Sequence, residues 1–307
     1  MSTATTSGRA VGTALGRALG RAVRHARQGL FAPAPARGLA LARIVFYGGL
    51  FVLYAGHDFR LWGEVGPVFW RPLWPLPTDV PPPPATLVAA VSLAFKASLL
   101  STCLGIATRW SAALAALAGL FTLGLPNQWG VTFHTDAPIV LLLLVLAFAR
   151  LGDDLAFPPR RRPRAAPAAD GEYRWPLVAA RLTLCLVFLA AGLSKCLAGG
   201  WDWIASDHLA RLLLKQQVTS RPWLDWGVMV AAQPLLYHGL AALTVAIELA
   251  YPLALVWRRA RPLLVTGGVL LLLGFAALVG PRFAALAFAH VWWLPWERLT
   301  AGGTRGR

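Results

Sequence analysis

Long apolar stretches, each carrying at most two charged side chains, recur from Gly38 to Trp296. A bilayer core offers no water to a free N–H or C=O, so a stretch of this kind crosses it as a helix. Eight stretches are readable: Gly38 to Gly56, Ala85 to Ile106, Trp110 to Leu125, Ala137 to Leu151, Pro176 to Lys195, Gly239 to Trp257, Pro262 to Val279 and Phe283 to Trp296. The third, fourth and last are short for a hydrocarbon core of roughly 30 Å. A mean hydropathy of +0.58 with 14% charged residues excludes an ordinary water-soluble domain. The expected fold is all-α: a polytopic integral membrane bundle of about eight helices, multi-pass in the cell membrane.

A formal net charge of +16 would suit a nucleic-acid binder, but its distribution argues for a bilayer instead. Seven Arg precede or open the first stretch and six run from Arg150 to Arg174. Arg258, Arg259 and Arg261 lie between the sixth and seventh, and Arg298, Arg305 and Arg307 close the chain. These are alternate connections, so the positive-inside rule puts both termini in the cytoplasm and requires an even number of crossings. The Trp residues fall outside the stretches or near their ends, as an interfacial belt would have them.

Residues 1–37 form an Arg-rich cytoplasmic segment without an acidic side chain. Val11, Leu15, Leu19 and Val23 recur at helical spacing opposite Arg17, Arg21, Arg24 and Arg27. That pattern fits a cationic helix on an anionic leaflet, and an unstructured Arg/Ala tail is the other reading. The transmembrane domain follows over 38–299, its two halves joined by a Pro- and Arg-rich cytoplasmic linker at 157–174, and 300–307 form a tail. Cys103, Cys185 and Cys196 read as buried thiols. Cys185 and Cys196 share a helix face but stand about 16 Å apart along it, too far for a bridge.

Of 29 basic residues only Lys96, Lys195 and Lys215 are lysine. A desolvated ammonium can give up its proton near neutral pH and a guanidinium cannot, so Lys195 at the end of the fifth stretch is a candidate base. Charge counting puts it on the outer side with His57, Asp58, His134 and Asp136. These are candidate acid and base groups, and each has a plainer reading. Asp136 before Ala137 and Pro138 suits a helix N-cap, His57 a solvated span end, and Lys195 a snorkelling side chain. Lys96 and Glu248 lie near the centres of the second and sixth stretches, which makes each the expected partner of the other. No metal, nucleotide or hydrolase motif accompanies them, and no metal is expected.

Three segments carry a family resemblance: Leu-Ala-Arg-Ile at 41 to 44, His134 ahead of an apolar helix ending at Gly152 and Asp153, and Ala-Gly-Leu-Ser-Lys ending at Lys195 with Trp201 after it. Together they resemble the HTTM (horizontally transferred transmembrane) family, which includes the vitamin K-dependent γ-glutamyl carboxylase, over roughly Leu39 to Trp296. Glu248 with Tyr251 and Pro252 looks like a further shared motif. The resemblance implies a reduced quinone of the vitamin K kind as cofactor and a lyase-type carboxylase or epoxidase activity. Lys195 would act as base toward the quinol, with His134 supporting the anion. Lys96, Glu248, Tyr251, His57, Asp136 and Trp201 are the expected binding or supporting residues. The large extracytoplasmic domain with which the carboxylase holds its protein substrate has no counterpart before Arg307, so a quinol or other lipophilic molecule is the expected substrate. The alternative is a non-catalytic membrane partner in the maturation or export of a secreted peptide. In that case the same charges lock helices together.

Overall fold

Helix α1 (Ala36–Ala55) opens behind Pro35 and α2 (Ala85–Leu104) behind Pro84, both in extended conformation, where a ring that fixes φ and lacks an N–H ends the preceding segment. The computed structural model describes residues 32–73, 76–129, 135–158, 171–219, 226–280 and 283–296, and these contain no strand. The remaining long elements are α3 (Thr108–Gly124), α4 (Ala137–Leu146) and α5 (Trp175–Gly199). A set of shorter helices follows: α6 (Asp202–Ala205), α7 (His208–Thr219) and α8 (Gly227–Ala231). The chain closes with α9 (Pro234–Ala250), α10 (Leu253–Val256), α11 (Arg261–Gly274) and α12 (Ala284–Ala289). A π turn, Phe275–Val279, extends α11, and a 3-10 turn, His290–Trp293, extends α12.

Five helical segments are long and apolar enough to cross a membrane: Ala36–Ala55, Ala85–Leu104, Thr108–Trp129, Trp175–Gly199 and Arg261–Val279. Ala137–Leu146, Pro234–Ala250 and Ala284–Trp293 are apolar but only 10–17 residues long. The shortening has local causes. The sixth stretch begins earlier than expected, at Pro234, and is broken at Pro252, which has no N–H to continue the ladder. The fourth stops at Leu146, and five residues further on the chain meets the side chain of Arg43.

Arg43 of α1 is fully buried. Its Nη1 donates to the carbonyls of Leu151 at 2.5 Å and Asp154 at 3.2 Å, and its Nη2 donates to that of Leu155 at 2.6 Å. A single planar fork thus serves three carbonyls of the non-helical segment that follows α4.

Neighbouring helices pack in chain order from α1 to α5, α5 then packs on α9, and α12 returns to α1 and α4. One core runs through both halves, including Phe46, Phe95, Leu143, Leu184 and Trp292. The 157–174 connection, of which 159–170 lie outside the described residues, therefore joins halves that share a core. Lipid tails are as apolar as Leu, so packing inside a bilayer relies on close van der Waals contact, and α3 supplies it with Ala112, Ala115, Ala116 and Ala118 buried. Leu117, Phe148, Leu197, Leu235 and Leu263 stay exposed at the periphery.

The connection after α5 folds back onto the bundle: Leu209 and Leu213, one turn apart on α7, pack with Tyr237 and Ala241 of α9. Trp292, Trp293 and Trp296 are buried in the core, whereas Trp110 and Trp257 are exposed at helix ends. Cys196 is exposed and Cys103 half-buried, so of the three thiols only Cys185 is buried. The Arg-rich segment up to residue 31 and the tail from 297 lie outside the described residues.

Replacing Arg43 by Leu removes all three donors at once. The unfolding midpoint in detergent is expected to fall by the equivalent of about 3 kcal/mol or more, since each hydrogen bond to a charged group contributes about 1.5–3 kcal/mol. Arg43→Lys, whose compact ammonium does not reproduce the fork, recovers only part of the loss. An unchanged midpoint in the Leu variant would show that this contact does not hold the end of α4.

Candidate functional site

Gly192 sets the geometry around Lys195. A Cβ added there would meet the Cβ of Glu248 and the Cδ2 of Leu249 at 3.0 Å, so the bare backbone lets α5 lie close against α9. Lys195 follows three residues later, almost one turn on, where its side chain reaches Glu248. Nζ donates to both carboxylate oxygens at 2.8 Å and to the carbonyl of Ala191 at 3.3 Å. The Trp203 ring lies beneath the ammonium, its centroid 5.4 Å away. The side chain of Glu248 is 4% exposed and that of Lys195 20%.

An ion pair held this tightly inside a bundle is a costly feature. Desolvating each charge costs several kcal/mol, offset by mutual attraction and full hydrogen bonding, and removal of one partner strands the other. Lys195, the candidate base, is thus bound to a carboxylate. His134 lies outside the described residues.

Lys96 has a different partner from the one expected. Its Nζ donates to the backbone carbonyls of Ala55 at 3.0 Å and His57 at 2.7 Å, where α1 ends. The two helices are displaced along their axes. Cys103, near the end of α2, approaches the carbonyl of Ile44 in the first half of α1, while Lys96, midway along α2, is level with the end of α1. The first eleven residues of α2, about 16 Å, thus extend beyond α1. A cation at this point satisfies carbonyls that lipid would leave bare and favours the negative end of the helix dipole. Equal depth along each helix does not place Lys96 beside Glu248.

The other expected residues divide between two places. Asp136 stands at the N-cap of α4 but makes no side-chain cap bond; its Oδ1 accepts from the Tyr54 hydroxyl at 2.6 Å, tying α1 to α4. The His57 ring lies edge-on to Tyr54 and stacks on Phe59. Tyr54, His57, Lys96 and Asp136 therefore gather around the end of α1. Tyr251 belongs with the second place, below Glu248 on α9. It is fully buried, stacks on Phe188 of α5 at 4.1 Å and accepts from Trp293 Nε1 at 2.9 Å. Trp201 is exposed and Trp203 is the ring that meets Lys195, because the chain turns at Gly200, with φ of +56°, before α6.

Arg43, Tyr54 and Trp203 are the contributors that sequence reading passed over. Arg43 was visible only as one letter of the Leu-Ala-Arg-Ile segment. Trp203 had the signal of a second Trp two residues after the first, and Tyr54 stands one helical turn from Phe51 and Leu50 with nothing to distinguish it. Comparison with known protein families, with curated proteins and with solved structures found no match.

The geometry sets two expectations for one experiment. In a double-mutant cycle on unfolding in detergent, Lys195→Met and Glu248→Gln should be strongly coupled, each alone costing about 3–5 kcal/mol and the pair far less than the sum. Lys96→Met combined with Glu248→Gln should be additive within about 0.5 kcal/mol. Coupling of Glu248 to Lys96 and not to Lys195 contradicts the assigned pair.

Proposed function

We propose that this chain is an HTTM-type membrane protein that brings a lipophilic hydroxylic substrate, of the quinol kind, to the Lys195–Glu248 pair. The observation that carries the reading is a buried Lys–Glu pair, clasped at both carboxylate oxygens, on the helix that also walls a lipid-type groove. That groove, of about 550 Å³, runs between α9 and α11 along Leu243, Ile247, Leu263 and Leu270, with α7 at one end. It is long and apolar enough for a hydrocarbon tail. In this reading Glu248 takes the proton of a hydroxyl delivered to the pair, and the Lys195 ammonium holds the negative charge left on that oxygen. A reduced quinone of the vitamin K kind would supply the redox chemistry. Lys195 thus works with Glu248 and not as a lone base.

What supports the HTTM resemblance is that its segments meet in space. Arg43 binds carbonyls on either side of Gly152 and Asp153, and the Lys195 segment meets Glu248 one turn from Tyr251. For topology we propose eight crossings in the cell membrane with both termini cytoplasmic. Pro234–Ala250 continues through the Pro252 break into Leu253–Val256 to complete the sixth. Reporter fusions after Arg307 and within 159–170 are expected to read as cytoplasmic; external readings from both reverse the orientation.

One observation favours a purely structural pair. The three ammonium hydrogens of Lys195 are matched by three protein acceptors, two on Glu248 and one on Ala191. On that reading the chain is a non-catalytic partner for a secreted peptide, and the pair locks α5 to α9. The two readings part at Lys195→Arg and at the exchanged pair Lys195→Glu with Glu248→Lys. Both variants retain opposite charges and are expected to insert and fold. The quinol reading expects co-purified quinone, followed by mass spectrometry, to be lost, and turnover of vitamin K hydroquinone to fall at least about 100-fold. Retention of both in the exchanged variant leaves the helix lock as the function of the pair.

A further inference from the structure

A second cavity, of about 380 Å³, lies at the outer end of α1, remote from the Lys195–Glu248 pair in the chain and built on other helices. Its back wall is the face of α2 that carries Ser92 and Lys96, one turn apart, and its front is the segment from His57 to Arg60. Lys96 gives hydrogens to Ala55 and His57, and an ammonium has three. Ser92 is 6% exposed and its hydroxyl has no hydrogen-bond partner among the described residues. A helical Ser ordinarily returns its hydroxyl to the carbonyl four residues back, as Thr102 does to Ser98. An unused hydroxyl one turn from an unused ammonium hydrogen is what an anionic oxygen needs.

Arg60 adds a guanidinium at the mouth, paired with Glu64 at 3.4 Å. Asp58 is on the wall, with one oxygen accepting from the Arg60 backbone N–H at 3.1 Å. The Lys96 ammonium, which meets backbone carbonyls, is therefore the cation on which an anion here would depend. Leu93, on the same wall, is 68% exposed on the outer surface of α2, so the cavity opens beside the face that meets lipid.

We propose that this cavity binds a phosphate-type oxyanion at the outer membrane face, between the Lys96 ammonium and the Ser92 hydroxyl with Arg60 at the mouth. The oxyanion comes either from a lipid headgroup phosphodiester or from free phosphate. The site stands apart from the Lys195–Glu248 pair, and Lys96 and His57, which the resemblance implied as supporting residues of the quinol chemistry, line it instead.

Ser92→Ala is the decisive variant, because it removes a ligand contact and no bond that holds the fold; Lys96 variants would also uncap α1. The unfolding midpoint of the full chain in detergent is followed with dihexanoyl-phosphatidylglycerol, with inorganic phosphate, and with dihexanoylglycerol, which lacks the phosphate. The lipid, the free ion or both should raise the wild-type midpoint, the responding probe naming the source. In Ser92→Ala the half-saturating concentration should rise about tenfold, as expected for one hydrogen bond to a charged group, with the ligand-free midpoint unchanged or higher. Arg60→Gln should weaken the same response and make it less sensitive to salt. The proposal is overturned if neither phosphate-bearing probe shifts the wild type, if dihexanoylglycerol shifts it equally, or if Ser92→Ala binds as tightly as wild type.

Discussion

Backbone carbonyls at and beyond the ends of helices, in a setting where lipid cannot bind them, govern where this protein places four of its cations, of which Arg43 is buried and the others are half-buried. Arg43 serves the segment that follows α4, and Lys96 serves the end of α1. Arg181 donates to the carbonyls of Trp292 and Leu294 at the end of the last helical turn, and Arg261 to those of Ala254 and Leu255 at the end of α10. Four cations thus perform one task. Lys96, Arg181 and Arg261 sit at the ends of helical segments, where carbonyls and the negative end of a helix dipole coincide, while Arg43 serves the non-helical segment beyond α4.

Lys195 departs from that pattern, and the departure is what singles it out. It meets a carboxylate within a candidate span, and the chain places Gly192 and a Trp ring to shape the encounter. A carbonyl ligand needs a donor and nothing more. A buried carboxylate opposite an ammonium adds a group that can accept a proton, which is why the proposed chemistry rests on the pair and not on either residue.

Helix α9 links the two themes. One face meets α5 through Glu248 and Tyr251, and another walls the apolar groove with α11. The break at Pro252 follows directly after Tyr251, whose ring is held by Phe188 and Trp293. A substrate tail seated in the groove would therefore press on the same short helix that carries the carboxylate.

The sequence by itself determined the class of the molecule. Apolar run length and the demand for internal hydrogen bonds fix helices, and the positions of five long ones follow within a few residues. It also flagged Lys195 and Glu248, because a charge inside an apolar run is conspicuous. It did not give their partnership, nor that of Lys96 with the end of α1. Which residues meet depends on how far one helix is shifted along and rotated about the next, and close packing settles that, as the displacement of α2 against α1 and the Gly192 contact show. The contact of Arg43 with the segment after α4 was equally hidden, since the two lie more than a hundred residues apart in the chain. Periodicity is a local property of a sequence, whereas the neighbours of a side chain are a property of the packed bundle, and only the tertiary structure could decide them.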